Sequence, residues 1–503
     1  MKTSGRAGLC LSVLALCCAF SAGADDSGSV WAKRRAQYPE LTGIYDLAES
    51  VPAPLRAMAL VRIATAPGMK DTGWKKELLT EAFSAASQEP MLWPTTYVMP
   101  AAGKLSTMAK RMETSNDDNR GLLRLALQTD VVGTMLSVDR AEAVSMFNQI
   151  APLGVPVLTC SDGLMPDVAS YYGAAAAIAK GGFSDEQKTN GDPVQLLRTV
   201  MAAISSPVEI KPAAMMLTSQ GLSRDGTVSV VSDFASRLEN LSGDDRSFFA
   251  DLDGTSKAVL NLADSLPDSV ATTMLKAWRN YLIVNLTGDR CRETVDTKWH
   301  YSKSASDAID AFNARVAGRE SVAAIDKEDV HPGSVASGSA DDSPVQLSAA
   351  ERELQSRWFA IEFGGQHDGG LSNEQKSDPE WIAKFDKYLD DIADLTPSDG
   401  ESDADSLQHK CALMHAAIMA APPGPQTDRV IAQYVQLLQL NNISLELISS
   451  WYSEVTSFLS SAEVLNHARG VALRAMEASD TPALMLVAKM ERLKDASAKP
   501  ASK

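Results

Sequence analysis

The sequence contains few of the residues that catalytic and metal sites use most often. Histidine occurs 6 times and cysteine 6 times in 503 residues, and aromatic residues make up only 6% of the chain. It contains no zinc-protease, nucleophile-elbow, phosphate-loop or dinucleotide-binding pattern. We therefore predict no catalytic residue, no metal ligand and no cofactor.

Basic residues are also in deficit. Lysine and arginine total 47 against 64 acids, which gives a formal net charge of −17 at pH 7. A general nucleic-acid binder needs a basic face that displaces counterions from phosphates, so the charge balance excludes that class. It also argues against adhesion to anionic lipid.

Long apolar runs are confined to the start of the chain. Lys2 and Arg6 precede the apolar stretch 9–20, and the small residues 22–24 follow it. This order is typical of a secretory signal peptide, here predicted as 1–24. We expect a protein exported to the periplasm or the extracellular space, with no membrane span after cleavage. An uncleaved anchor and a lipoprotein are the alternatives, and the pattern fits both less well.

Apolar residues recur with a helical period through most of the remaining sequence, and convincing period-2 strands are absent. We predict an all-α fold of irregular antiparallel helix pairs, stacked as an α-solenoid or helical array. Separate helical bundles are the alternative, because no tetratricopeptide or ankyrin repeat is found. The first predicted helix begins near Asp71 or Thr72 and carries the apolar stripe 78–86. The other predicted helices include 194–204, 228–238, 260–266, 274–282, 381–392, 411–420, 430–438, 445–459 and 464–476.

Composition divides the predicted mature chain into four parts. Residues 25–326 form an N-terminal helical array and residues 347–493 a C-terminal helical region. Between them, residues 327–346 hold Ser, Gly, Asp and Pro with few large apolar side chains, which predicts a flexible linker. Residues 494–503 are rich in Lys, Ala and Ser, and we expect a disordered tail.

Three cysteines remain once the predicted signal peptide is removed. Cys160 precedes the turn-forming residues 161–163, and Cys291 follows Gly and Asp at 288–289, so both can lie at element ends. Cys411 lies within an apolar helical stripe, where a thiol packs as a small hydrophobic group. In an oxidising compartment this arrangement predicts a disulfide between Cys160 and Cys291. The alternative is that all three cysteines are reduced and buried.

His409, Cys411 and His415 form the one local cluster of possible metal ligands. Cys411 and His415 are four residues apart and share a helix face, a spacing that can hold a metal. His409 points elsewhere on the same helix. Because the ligand count is too small for a closed site, we interpret the cluster as a buried cysteine with a peripheral histidine.

Three segments, 74–83, 164–172 and 281–291, together resemble an uncharacterised family of bacterial proteins that carry a signal peptide and an all-helical body. The resemblance would span most of the mature chain. It implies secretion and a helical fold. It carries no activity, cofactor or catalytic residue.

Two hypotheses for the function follow. The first is a non-enzymatic exported scaffold that binds a protein or peptide partner along a helical surface. An open groove lined by aromatics such as Trp278 and Trp451 would favour it. The second is an envelope or secreted hydrolase whose catalytic residues are dispersed in sequence and converge in the fold.

Overall fold

The fold is all-α, as the sequence predicts. The computed structural model describes residues 24–88, 95–97, 122–150, 152–158, 164–220, 222–241, 245, 247–287, 295–326, 328, 330, 352–354, 356–358, 361, 371–372, 374–396, 403–422, 424–440, 443, 447–464 and 468–498. Its helices are α1 (Ala24–Gln37), α2 (Pro39–Ala48), α3 (Ala53–Thr65), α4 (Thr72–Ala86), α5 (Arg124–Leu136), α6 (Arg140–Asn148), α7 (Ala169–Gly181), α8 (Asp185–Asn190), α9 (Asp192–Ala202), α10 (Ile210–Thr218), α11 (Arg224–Asn240), α12 (Ser247–Ala250), α13 (Leu252–Asp264), α14 (Asp268–Leu286), α15 (Val295–Val316), α16 (Pro379–Ala393), α17 (Asp403–Ala420), α18 (Pro425–Leu438), α19 (Ile448–Val464), α20 (Ala468–Glu477) and α21 (Pro482–Ala498).

Local sequence explains where many helices begin. The Asp71 carboxylate accepts a hydrogen bond from the Trp74 amide at 2.9 Å and caps α4. The helix start predicted from the sequence is thereby confirmed. Between α8 and α9 the chain turns at Gly191, whose φ of +85° is a left-handed conformation that glycine adopts without steric cost. One residue therefore ends one helix and starts the next.

Packing follows chain order through the N-terminal part. Helices α3, α4 and α5 pack in succession. Farther along, α9, α11 and α14 form one series of contacts, and α10, α13 and α15 form another. The apolar stripes face these contacts, so Phe234, Trp278 and Phe312 are fully buried. Burial of each such side chain contributes about 1.5–3 kcal/mol, and this drives the stacking.

The last helix returns to the first ones. Helix α21 packs against α20, its neighbour in sequence, and also against α2 and α3. Leu484, Leu486 and Val487 of α21 are buried. The predicted regions 25–326 and 347–493 are therefore in direct contact through α21.

One predicted boundary differs from the observed end of a helix, and the predicted linker lies mostly outside the described residues. Helix α21 continues to Ala498, so the boundary predicted at 493 is too early. The reason is an ion-pair cluster in which Arg469 of α20 contacts Glu491 at 2.8 Å and also Asp495. Of the predicted linker 327–346, only residues 328 and 330 are described.

Two three-residue strands interrupt the helical sequence. Strand β1 (Thr95–Tyr97) pairs with β2 (Leu164–Pro166) in antiparallel register. Sequence analysis does not predict them, because alternation over three residues is too short to recognise.

Candidate functional site

The predicted disulfide residues, Cys160 and Cys291, both lie outside the described residues, so their bond stays a prediction. Cys411 is a free thiol and is buried, as the sequence predicts. Burial, followed by the nearby charge of Glu454, raises the pKa of this thiol well above its usual value. A thiol held in its protonated form is a poor nucleophile.

The neighbouring histidine contacts a serine of a different helix. Nδ1 of His415 lies 2.7 Å from Oγ of Ser461, and the same Oγ donates to the carbonyl oxygen of Ser457 at 2.7 Å. The Ser461 hydroxyl thus links the His415 ring to the backbone of its own helix. This contact joins α17 to α19.

A buried acidic network lies where α7 meets the turn before α10. Glu209 is only 2% exposed. One of its oxygens accepts from the Tyr172 hydroxyl at 2.8 Å, and the other accepts from the backbone amides of Ser205 and Ser206 at 2.8 and 3.0 Å. Ser206 Oγ then donates to Asp245 at 3.1 Å. Both oxygens of the Glu209 carboxylate are hydrogen-bonded, which is the condition for a stable buried charge.

An open groove of about 650 Å³ follows the exposed face of α4. Small and charged side chains alternate along it at the spacing of a single helix face. The opposite face of α4 carries Trp74, Leu78 and Phe83 into the core. The residues lining the groove are Gly73, Lys76, Glu77, Thr80, Glu81 and Ser84.

Ion pairs with neighbouring helices border this groove. On one side, Lys76 contacts Asp139 at 2.6 Å and Glu142 at 3.5 Å. The contact with Asp139 raises the pKa of Lys76 and lowers that of Asp139, so both groups stay charged. On the other side, Arg56 of α3 donates to Glu81 at 3.0 Å.

Tyr45 of α2 also donates to Glu81, at 3.1 Å. Burial, and then the charge of Glu81, raise the pKa of Tyr45 to about 12. The tyrosine therefore remains a neutral donor at physiological pH. Glu81 is shared between a cation and a hydroxyl from two different helices.

At the start of the groove, Arg34 of α1 is held between two indoles. Its guanidinium lies 5.7 Å from the ring centroid of Trp31 and 5.4 Å from that of Trp74. Two nitrogens donate to the Glu77 carboxylate at 2.7 and 3.0 Å, and Asp71 lies 3.6 Å from Nε. The Glu77 hydrogen bonds raise the pKa of Arg34 despite its burial. Bidentate carboxylate contact with aromatic stacking is the strongest form of arginine recognition in proteins.

Trp278 and Trp451, named above as residues that would line a groove, are instead fully buried. The Trp451 ring nitrogen donates to the Leu438 carbonyl oxygen at 2.9 Å, so it joins two helices inside the core. Aromatic residues on a helix stripe are more often core than surface, and the sequence pattern alone does not separate the two. The groove of α4 has a charged and small-residue lining.

Among the described residues, no group of three or more His, Cys, Asp or Glu side chains is arranged to hold a metal ion. Within the same part of the chain, no helix combines the length and apolar character needed to cross a bilayer.

Comparison with known protein families, with curated proteins and with solved structures gives no match for this chain. The resemblance to bacterial secreted helical proteins stays an expectation.

The sequence carries a weak signal for the groove. Positions 73, 76, 77, 80, 81 and 84 hold only small or charged residues, and they follow the 3.6-residue period as closely as the buried stripe does. Such a face is also typical of any solvated helix. Only the structure brings Arg34 and Tyr45 to its border.

Proposed function

We propose that the protein is an exported, non-enzymatic helical scaffold that binds a protein or peptide partner along the groove of α4. The observation that carries the proposal is the groove itself, an open depression of about 650 Å³ along the exposed face of α4. Its length follows three turns of α4, which suits an extended or helical segment better than a small ligand that must be enclosed.

The charges around the groove support a basic partner. Six carboxylates border it, from Glu49, Asp71, Glu77, Glu81, Asp139 and Glu142, and the cations paired with them are Arg34, Arg56 and Lys76. The acids therefore exceed the bases, and a cationic segment would complement the surface and be steered toward it.

The helical array supplies the platform. Contacts in chain order support one continuous array of helix pairs, the arrangement that presents an extended surface to a partner. The signal-peptide pattern of residues 1–24 supports a site of action outside the cytoplasm. The hydrolase alternative has weaker support, because burial raises the pKa of the Cys411 thiol and a protonated thiol is a poor nucleophile.

Site-specific photocrosslinking tests the proposal. A photoreactive amino acid replaces Ser84, which is exposed in the groove, and the matched control replaces Ser236, which is exposed on α11. In an envelope fraction we expect a discrete adduct from position 84 and none of the same mass from position 236.

A blocked groove provides the second arm of this experiment. Thr80→Trp fills the groove beside position 84, and Ser236→Trp adds the same ring elsewhere. We expect Thr80→Trp to abolish the adduct and Ser236→Trp to leave it unchanged. Equal adducts from both crosslinking positions, or an adduct that survives Thr80→Trp, would contradict the proposal.

A further inference from the structure

Helix α1 is attached to the protein differently from α3 and α4. Among its residues 28–37, only Arg34 is buried, and Trp31 is half-buried. The remaining side chains of that stretch are exposed. Its most buried side chain is thus a charged one, whereas α3 and α4 bury continuous apolar stripes.

Helix α4 supplies most of the surroundings of Arg34. Asp71, Trp74 and Glu77 are spaced by three residues along its cap and first turns, and all three contact the guanidinium. Trp31, the fourth contact, lies one turn before Arg34 on α1 itself and packs on Tyr45 and Trp74. The pair Trp31 and Arg34 therefore enters the site as a unit carried by one helix.

This site is continuous with the groove. Glu77 binds Arg34 and also lines the groove, and its side chain remains 61% exposed while the arginine side chain is 9% exposed. An arginine from another chain could approach Glu77 along the groove and make the same bidentate contact.

We propose that Asp71, Trp74 and Glu77 form a recognition site for an arginine of the partner, and that Arg34 occupies it as a competing internal ligand. The inference rests on the proposed function and specifies its partner. The segment that fits is a basic helical peptide with an aromatic residue three positions before an arginine, because α1 presents that pair. Release of α1 would uncover Trp74 and leave Glu77 and Asp71 without their cation.

A peptide-binding assay tests this without the natural partner. The probe is a fluorescently labelled synthetic peptide of residues 25–37, titrated into the full chain and followed by anisotropy. We expect Arg34→Gln in the protein to raise affinity for the probe at least tenfold, because the internal competitor is weakened. Arg35→Gln, the adjacent and exposed arginine that pairs with Asp46, is the matched control and should leave affinity unchanged within twofold.

Two further variants define the site. Glu77→Gln added to Arg34→Gln should reduce probe affinity at least tenfold, and a probe with glutamine in place of its Arg34 should not bind. Trp31→Ala provides a second way to weaken the internal ligand without removing a charge, and it controls for any effect of Arg34→Gln on folding. Hydrogen exchange should then show faster exchange in α1 and unchanged exchange in α3.

Several outcomes would overturn the inference. They are equal probe affinity for wild type and Arg34→Gln, no effect of Glu77→Gln, or an Arg35→Gln effect as large as that of Arg34→Gln. A dimer of the wild type that dissociates on Arg34→Gln would assign the site to a second copy of this chain and reject a different partner.

If position 84 crosslinks no partner while the probe still binds as expected, the proposed function fails and the arginine site stands. If the crosslink forms but binding is independent of Arg34 and Glu77, only this inference fails.

Discussion

Carboxylates in two regions of this molecule are satisfied in opposite ways. Glu209 is sealed in the core, and its partners are a tyrosine hydroxyl and backbone amides within its own turn. Glu77 and Glu81 face an open groove, and their partners are arginines from other helices and, for Glu81, also the Tyr45 hydroxyl. The first arrangement is fixed, because Glu209 itself is buried and two of its donors are amides of its own turn. The second can exchange, because water reaches the carboxylates and the cations belong to separate elements. The comparison teaches that burial of the carboxylate, rather than residue type, separates a structural acid from a binding acid.

The largest expected effect comes from removal of the sealed carboxylate. Glu209→Ala leaves the Tyr172 hydroxyl and two amides without an acceptor, and we expect a loss of about 3 kcal/mol in the free energy of unfolding. Denaturant unfolding followed by circular dichroism measures it. Glu209→Gln retains an acceptor for the two amides and should recover most of the loss. An alanine variant as stable as wild type would remove the distinction between the two regions.

Removal of the tyrosine donor alone should cost less. Tyr172→Phe keeps the ring and its packing but leaves one oxygen of Glu209 unpaired, and we expect about 2 kcal/mol of destabilisation. Burial, and then the charge of Glu209, raise the pKa of Tyr172, so its hydroxyl donates throughout the normal pH range. Tyr171→Phe, which changes the adjacent residue, provides the control. A larger effect at position 171 would show that the contact with Glu209 is not the important one.

The groove acids should affect stability less than Glu209 does. Glu77→Gln weakens a bidentate ion pair whose arginine is buried but whose carboxylate is mostly exposed, and we expect a loss of about 1.5 kcal/mol. Unfolding under the same conditions as for Glu209→Ala gives a direct comparison. A loss as large as that of Glu209→Ala would make Glu77 a structural residue and would weaken the case for a binding role.

The smallest effect concerns the pH dependence at Tyr45. The folded-state pKa of about 12 exceeds the ordinary value of 10, so the folded protein retains this proton longer than the unfolded chain. The associated stability is fully present below pH 10 and is lost as pH rises through 12. The difference in unfolding free energy between wild type and Tyr45→Phe measures it. Glu81→Gln should lower the pKa of Tyr45 in ultraviolet difference titration, and an unchanged value would show that Glu81 does not contribute to the shift.

Much of the helical architecture could be predicted from the sequence, because the signals that start and align a helix are local. Asp71 is three residues from the amide that it caps, and the buried stripe of α4 repeats every turn. Boundaries were less accurate. The helix predicted over 411–420 begins at Asp403, eight residues earlier.

The sites depended on information that a local pattern does not contain. The helical spacing of Trp278 and Trp451 would be the same on a partner-binding surface and in the core. In the structure both side chains are buried in the core. Arg34 and Glu77 are 43 positions apart, so no spacing rule connects them. The same holds for Glu209, which meets Tyr172 from 37 positions away.

The sequence by itself determined the helical class, the position of ten of the 21 described helices and the acidic balance, because periodicity, capping and charge are properties of neighbouring residues. The tertiary structure alone decided that α21 returns to α2 and α3, that one glutamate is sealed while others face a groove, and that an arginine of α1 lies between two indoles. These outcomes depend on which apolar faces meet when the chain collapses. Which faces pack together depends on the summed free energy of many weak contacts between distant residues, so no single segment of the sequence encodes it.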